Sequence, residues 1–385
     1  MIEAAPKKGR ILSLSLAHLM NDWYMNYIQT LLPFLIAGGM AVSKGAFLVS
    51  AFTITSSLLQ PVAGYLVDQR NQRWLVYVGT LWMGVLLSLV GVLSSYPLMV
   101  FLVTLAGLGT AAFHPQASAM VTAVSGRKKG FFQAVFITFG NIGWALTPLV
   151  VVPFTQEYGM ESTPYFALPG VLVALLLWGT APRLSAGSRR PSPPPLWDTL
   201  RRAGWELVKV VSVVALRSLS YFSLVAFLPL YLQHRDVSLV HGGRLLFLML
   251  FMGAMGGLGG GFLSDRFGRK PVIVGSLVLS TPLFFLFLRT DGPVSWLFLA
   301  LGGAALLASF SVTVVVAQEI ISRNAAMAAG LMLGFGIGIG GLGVGLMGLL
   351  VERIGIDKAI GLLISLPLAA GLLGLSLGKR KGVEE

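Results

Sequence analysis

Cysteine is absent from the 385 residues of this chain. Its absence excludes a disulfide framework, a thiolate metal site and nucleophilic chemistry at a cysteine. Charge is scarce as well, because 11% of the residues are charged whereas 55% are hydrophobic. A soluble domain carries about twice that charged fraction. The composition therefore predicts a chain that is embedded in a membrane.

The apolar residues fall into twelve blocks, and a helix needs about 20 residues to cross a bilayer. The predicted spans cover residues 11–37, 45–67, 74–93, 98–123, 131–152, 164–181, 207–232, 243–263, 271–288, 295–317, 327–350 and 357–377. The first block carries a charge and is not followed by a small-residue cleavage site, so we expect a retained helix and not a signal peptide. The sequence thus predicts an all-α membrane protein with twelve transmembrane helices.

A proline-rich segment separates the first six spans from the last six. Residues 182–206 include the run RRPSPPP, which predicts an extended linker, followed by a short amphipathic segment around Trp197–Trp205. The predicted domains are a six-helix half at 1–181, a cytoplasmic linker at 182–206, a second six-helix half at 207–378 and a cytoplasmic tail at 379–385.

The net charge of +13 is explained by where the basic residues lie. Most of the lysines and arginines occupy the segments on one side of the predicted spans, which by the positive-inside rule is the cytoplasmic side. Both termini are therefore predicted to be cytoplasmic. No soluble domain remains that could bind a nucleic acid.

Two loops, after the second and the eighth span, repeat one pattern about half a chain apart. Gly64 to Arg73 read GYLVDQRNQR, and Gly261 to Lys270 read GFLSDRFGRK. A glycine and an aspartate four residues apart share a helix face, so the acid can reach the arginines of its own loop. The residues predicted to form these gate loops are Gly64, Asp68, Arg70, Arg73, Gly261, Asp265, Arg269 and Lys270.

The two loops resemble the signature loop of the major facilitator superfamily, whose pattern is close to G-x-L-a-D-r-x-G-r-[RK]. The second copy is nearly complete, whereas the first has Asn71 in place of glycine and Gln72 in place of arginine. The resemblance implies the major facilitator fold, in which two pseudo-symmetric six-helix halves surround a cavity that opens alternately to each side. It also implies that spans one, four, seven and ten line this cavity.

Further segments resemble the fosmidomycin resistance protein family of efflux carriers. They are SLAHLMND at 15–22, SSLLQPVAGY at 56–65, FHP at 113–115, GNIG at 140–143, AQE at 317–319 and GLMLGFG at 330–336. This resemblance implies proton-coupled export of small toxic compounds, with an anionic phosphonate among the candidates, across a bacterial-type inner membrane. Related families on one fold carry different cargo, so a lipid or lysolipid flippase and a nutrient–proton symporter stay open as alternatives.

Four ionisable residues lie well away from the ends of the predicted spans, where a charge costs about 2.5–3.5 kcal/mol and calls for a partner or a function. His18 and Asp22 share a face of the first span, His114 lies in the fourth and Arg217 lies in the seventh. We predict that Asp22, with His18 or His114, exchanges the proton, the alternative being a static polar network. Arg217 is predicted to attract an anionic substrate or to hold Asp22 ionised.

Three further residues complete the predicted sites. Asn21 in the first span and Asn141 in the GNIG run are predicted to bind substrate together with Arg217. Glu319, at the end of the tenth span, is predicted to join the basic loops in a gate network rather than to carry a proton. The arginine that is common in the fourth span of drug/proton antiporters is missing, and His114 is prominent there instead.

Motifs of other protein classes are missing. The chain has no H-E-x-x-H, no G-x-S-x-G, no paired metal carboxylates within the spans and no ATPase motif. It is therefore predicted to be neither an enzyme nor an ATP-driven pump, and no metal or cofactor is expected. Two halves with both signature loops favour a carrier over a channel. The expected partners are a small-molecule substrate, protons and membrane lipid, without nucleic acid, and the chain is expected to be a monomer.

Overall fold

A computed structural model describes residues 6–60, 63, 72–126, 129–183, 196–321, 328 and 331–378. Helices are the regular structure of these residues, and no strand occurs among them. The α-helices are α1 (Lys8–Met25), α2 (Tyr27–Ala37), α3 (Val42–Leu58), α4 (Trp74–Ser88), α5 (Tyr96–Val124), α6 (Lys129–Tyr158), α7 (Ala167–Thr180), α8 (Leu196–His234), α9 (Leu239–Phe267), α10 (Arg269–Arg289), α11 (Gly292–Ile320), α12 (Gly336–Ile354) and α13 (Ile356–Gly374). Turns of 3₁₀ helix cover Val90–Val92 and Met160–Phe166, and a π-helical turn covers Leu331–Phe335.

Ten helical segments in the described part of the chain are long and apolar enough to cross a membrane. They correspond in order to the third through twelfth predicted spans. The first predicted span is formed by α1 and α2 together, and α3 forms the described part of the second. The predicted all-α membrane fold is therefore confirmed, and the chain is a multi-pass membrane protein.

Two helices depart from the straight spans that their apolar runs predict. Only Asn26 separates α1 from α2, and its side-chain amide donates a hydrogen bond of 2.9 Å to the Trp144 carbonyl oxygen of α6. Helix α8 changes direction at Gly204, where φ is +55°. Glycine adopts this left-handed conformation at little cost. The bend lies near the end of the predicted amphipathic segment, and the helical segment that corresponds to the seventh span begins at Gly204.

Contacts divide the chain into two compact units, which we treat separately. Unit 1 consists of Met1–Ser188, Val225–Phe247 and Gly341–Ile356, and unit 2 consists of Arg189–Leu224, Leu248–Gly340 and Asp357–Glu385. The domain boundaries near residues 181 and 207 follow from the apolar blocks and the linker, and they stay a prediction.

The core of unit 1 brings the first, third, fourth, fifth and sixth predicted spans together. Its buried cluster consists of Leu14, Ala17, Val76, Phe113, Ala117, Met120, Val121, Phe136, Leu177 and Ala181. Large apolar side chains also point outward, and Trp178 is 65% exposed. Such exposure carries no penalty where the surrounding solvent is lipid. The core of this unit places α1, α5 and α6 side by side.

Glycines allow close helix packing in both units. In unit 1, a Cβ atom added to Gly79 of α4 would lie 2.6 Å from the Gly109 carbonyl oxygen of α5. In unit 2, a Cβ atom added to Gly303 of α11 would lie 2.5 Å from the Met249 carbonyl oxygen of α9. Small residues at such crossings are typical of helix pairs within membranes. They allow α4 to approach α5, and α9 to approach α11, at short distance.

Candidate functional site

The first polar site lies in unit 1 and begins with one turn of α1. His18 and Asp22 are four residues apart, so their side chains share a helix face. The His18 Nε2 atom lies 3.4 Å from Asp22 Oδ2. Side-chain exposure is 8% for His18 and 15% for Asp22. The pair that the sequence predicts is therefore present inside the helix packing.

Helix α5 adds a third ionisable group to this pair. The His114 Nε2 atom lies 3.4 Å from the other carboxylate oxygen, Asp22 Oδ1, and the side chain is 19% exposed. The His18 and His114 rings meet edge to face, with centroids 5.0 Å apart. Both histidines thus contact Asp22. We call His18, Asp22 and His114 the His–Asp–His cluster.

The backbone of α6 orients His18. The His18 Nδ1 atom lies 2.7 Å from the Phe136 carbonyl oxygen, and the Phe136 ring stacks on the imidazole at 4.0 Å. A carbonyl oxygen can only accept, so Nδ1 carries the proton of this hydrogen bond. In neutral His18 the Nε2 lone pair then faces the Asp22 carboxylate. Two acceptors face each other, and a proton or another cation between them removes the repulsion.

A missing side chain on α6 makes room for the cluster. A Cβ atom added to Gly140 would lie 2.6 Å from His18 Cε1 and would also clash with Asp22 Oδ2. Gly140 belongs to the GNIG run, but its role as a wall of the cluster was not predicted. Phe136 was not predicted either, because its contribution is a backbone carbonyl, and any residue type supplies one.

The two asparagines predicted to bind substrate lie in different surroundings. Asn21 is fully buried; its Nδ2 lies 3.4 Å from Thr80 Oγ1, and its Oδ1 accepts a hydrogen bond of 2.5 Å from Thr110. It therefore ties α1 to α4 and α5. Asn141 is exposed on α6. The substrate-binding role stays a prediction for both, and the exposed amide of Asn141 is the more accessible of the two.

The second polar site lies in unit 2 and is built around Arg217 of α8. This side chain is 3% exposed. Its NH1 group donates a hydrogen bond of 3.2 Å to Thr313 Oγ1 of α11, and its guanidinium carbon lies 4.9 Å from the centroid of the Phe310 ring. Among the described residues no carboxylate forms an ion pair with Arg217. A buried cation with neutral neighbours favours an anion.

The described gate-loop residues of unit 2 form a charge network. Arg269 NH1 lies 2.5 Å from Asp265 Oδ1, and Arg269 Nε lies 3.2 Å from Glu319 Oε1. Lys270 donates hydrogen bonds of 2.5 and 2.8 Å to the carbonyl oxygens of Leu375 and Leu377. Glu319 thus contacts a gate-loop arginine.

The remaining gate-loop residues contribute differently. A Cβ atom on Gly261 would lie 3.5 Å from Ser311 Oγ, an ordinary contact. In unit 1, the Arg73 guanidinium donates a hydrogen bond to the Trp178 carbonyl oxygen. The predictions for Gly64, Asp68 and Arg70 fall outside the described residues.

Comparison with known sequences identifies relatives over nearly the whole chain. A model of the Major Facilitator Superfamily matches residues 14–286. The fosmidomycin resistance protein of Escherichia coli strain K12 is 30% identical over 386 residues, which cover 96% of this chain and 92% of that protein. The uncharacterized MFS-type transporter YfnC of Bacillus subtilis strain 168 is 29% identical, covering 97% and 94%. The resemblance predicted from the sequence motifs is confirmed.

Solved structures share the fold. The nucleoside transporter NupG has a TM-score of 0.82 at 14% identity, covering 96% of this chain and 100% of that chain. A bacterial homolog of the human lysosomal transporter Spinster has a TM-score of 0.76 at 17% identity, covering 96% and 94%. At such identities the likeness establishes the architecture and carries no information about the substrate.

Proposed function

We propose that this chain, which belongs to the major facilitator superfamily, is a proton-coupled exporter of small anionic toxic compounds. Proteins of this superfamily are transporters and not enzymes, so the chain is a membrane transporter. The observation that carries the proposed substrate class is Arg217. It is a buried cation for which the described residues supply a hydroxyl and an aromatic ring but no counter-ion.

An anionic substrate would supply the missing charge. A guanidinium has five N–H donors, and a single one is used in the contact with Thr313. The remaining donors can bind a phosphonate or carboxylate in the two-pronged geometry that arginine favours. The name of the Escherichia coli relative, a fosmidomycin resistance protein, supports export of a phosphonate. Asn141 is proposed as a further polar contact for the substrate.

The proton would be exchanged by the His–Asp–His cluster. The His18 Nε2 lone pair and the Asp22 carboxylate repel each other, and a proton bound between them removes this repulsion. Asp22 and His114 are also partly exposed, so water can contact them. Imidazole is also the side chain whose titration is nearest to neutral pH. In this proposal the cluster binds the coupling proton, and Arg217 binds the substrate.

The remaining roles follow from charge placement. The contacts of Arg269 with Asp265 and Glu319 support the proposal that the signature loops form a gate. The positive-inside bias supports an inner-membrane location with both termini in the cytoplasm. We further propose that the transporter acts as a monomer, with lipid around its apolar faces.

Uptake into inside-out vesicles tests the direction, the coupling ion and the substrate class together. With an acidic lumen, we expect radiolabelled fosmidomycin to accumulate in vesicles that contain the wild-type chain, and a protonophore to abolish the accumulation. Arg217→Ala should lose it, whereas Arg289→Ala, which removes an exposed arginine of α10, should retain it. Proton-driven accumulation in right-side-out vesicles would instead identify a symporter. Movement of labelled lysolipid between leaflets, without phosphonate transport, would identify a flippase.

A further inference from the structure

We propose that His18, Asp22 and His114 also form a binding site for a divalent transition-metal cation such as Zn²⁺. The donors are two imidazole Nε2 atoms and one carboxylate, contributed by α1 and α5. The inference goes beyond the proposed transport function, because metal binding requires neither a proton gradient nor a substrate. It revises the sequence-based expectation of no metal, which considered cysteine and local spacing motifs.

The distances within the cluster agree with those in a metal site. Zinc bonds of about 2.0–2.1 Å at tetrahedral angles place two ligand atoms about 3.3 Å apart. The two imidazole nitrogens each lie 3.4 Å from an Asp22 oxygen, and all three donors lie within 4.8 Å of one another. Small side-chain rotations are therefore enough to close the three donors around one ion.

The hydrogen bonds around the donors also match a metal site. A metal-binding histidine usually donates its second ring N–H to a carbonyl or a carboxylate, which fixes the ring and its tautomer. His18 makes this contact to the Phe136 carbonyl oxygen at 2.7 Å, and its Nε2 lone pair is thereby directed at Asp22. Asp22 Oδ1 is buried and accepts no hydrogen bond from the described residues, although His114 Nε2 is 3.4 Å away.

Space and access are present as well. The Met25 sulfur lies 3.4 Å from His114 Nε2, so a fourth, weaker ligand is next to the other three. Beside the stacked Phe136 ring, Gly140 of α6 leaves room for Asp22 and His18 where a Cβ atom would clash with both. Asp22 and His114 are partly exposed, which an entering ion requires.

The donor set selects the class of ion. Imidazole nitrogen suits zinc, copper and nickel, whereas Mg²⁺ and Ca²⁺ prefer sites built from oxygen ligands. Two imidazoles and one carboxylate therefore favour Zn²⁺ over Mg²⁺. Protons compete for all three ligands, so binding should weaken as the pH falls.

Isothermal titration of the full, untagged chain in detergent tests the proposal directly. We expect one Zn²⁺ per chain at pH 7.5, at least tenfold weaker binding at pH 6, and no binding of Mg²⁺ at the same concentration. Zinc-edge X-ray absorption of the wild-type complex should show two imidazole ligands. A zinc coordinated by oxygen alone would overturn the proposal, and this measurement needs no variant to fold.

The histidine content of the chain supplies a matched control. Of its four histidines, His18 and His114 lie in the cluster, while His234 and His241 lie near the junction of α8 and α9. We expect His18→Gln and His114→Gln each to weaken Zn²⁺ binding at least tenfold, and the double variant His234→Gln/His241→Gln to bind as the wild type does. The opposite pattern would assign the metal to the α8–α9 junction and refute the cluster site. Because binding is measured without transport, a failure here leaves the export proposal to its own test.

Discussion

In unit 1 the Asp22 carboxylate lies 3.4 Å from each of two imidazoles, whereas in unit 2 the Arg217 guanidinium has a hydroxyl and an aromatic ring as neighbours. The first site can change its charge, because carboxylates and imidazoles gain and lose protons. The second cannot, because a guanidinium stays protonated in proteins. The difference agrees with the proposal that the first site takes an exchangeable small cation and the second an anionic substrate.

The largest effect is expected at the His–Asp–His cluster, the site whose charge can change. Asp22→Asn removes the carboxylate between the two histidines, and we expect proton-driven accumulation in inside-out vesicles to fall to background. Phosphonate binding, measured by scintillation proximity, should persist because Arg217 is intact. Asp291→Asn, at an exposed position before α11, is the matched control and should transport normally. Unchanged coupled transport in Asp22→Asn would make the cluster a static polar network.

Gly140→Ala tests whether the room around the cluster matters. The added methyl group would crowd His18 and Asp22, and overpacking of this kind costs about 1–3 kcal/mol. We expect a lower Tm and slower proton-driven transport. The control is Gly275→Ala in α10, where an added Cβ atom has no described neighbour within 4 Å. Equal Tm values for the two variants would show that α6 does not press on the cluster.

Arg217→Lys separates the effect of the positive charge from the effect of the guanidinium geometry in unit 2. Lysine keeps the positive charge but loses the planar fork of donors. We expect about tenfold weaker phosphonate binding, equivalent to about 1.4 kcal/mol, measured by scintillation proximity. Arg244→Lys, at an exposed position of α9, is the matched control. Wild-type affinity in Arg217→Lys would mean that the site attracts the negative charge of the phosphonate without recognising the shape of the group.

The smallest effect is expected from the hydroxyl beside Arg217. Thr313→Val removes the hydroxyl that accepts a hydrogen bond from the charged guanidinium, and hydrogen bonds to charged groups contribute about 1.5–3 kcal/mol to folding stability. We expect phosphonate affinity to change about threefold, because Thr313 positions the guanidinium and does not neutralise it. In Thr104→Val the lost hydroxyl bonds a carbonyl of its own helix, and affinity should stay the same. A complete loss of binding in Thr313→Val would make the hydroxyl a direct substrate ligand.

Much of the fold could be predicted because each span is a property of its own segment. A helix in lipid must be apolar over its whole length, and the twelve apolar blocks follow from this requirement alone. The junction of α1 and α2 at Asn26 could not be predicted, because the partner of its side-chain amide is a carbonyl of α6, which is distant in the sequence. The bend at Gly204 lies close to a boundary that the local sequence predicts, because the amphipathic segment ends and the apolar span begins near this residue.

The candidate site could be predicted only for residues that belong to the same helix. The four-residue spacing of His18 and Asp22 places both on one face of α1, and the structure agrees. Asn21 shows the limit of this reasoning. It lies next to Asp22 in the sequence, but a helix turns about 100° per residue, and its amide bonds Thr80 and Thr110 instead.

The sequence by itself determined the spans, the paired signature loops and the presence of four ionisable residues well inside apolar helices. These features depend on segment composition and spacing, which need no knowledge of neighbouring helices. Only the tertiary structure decided that His114 joins His18 and Asp22, that Gly140 makes room for them, and that the described neighbours of Arg217 leave it without a counter-ion. These are contacts between helices distant in the chain, and helix packing alone sets them.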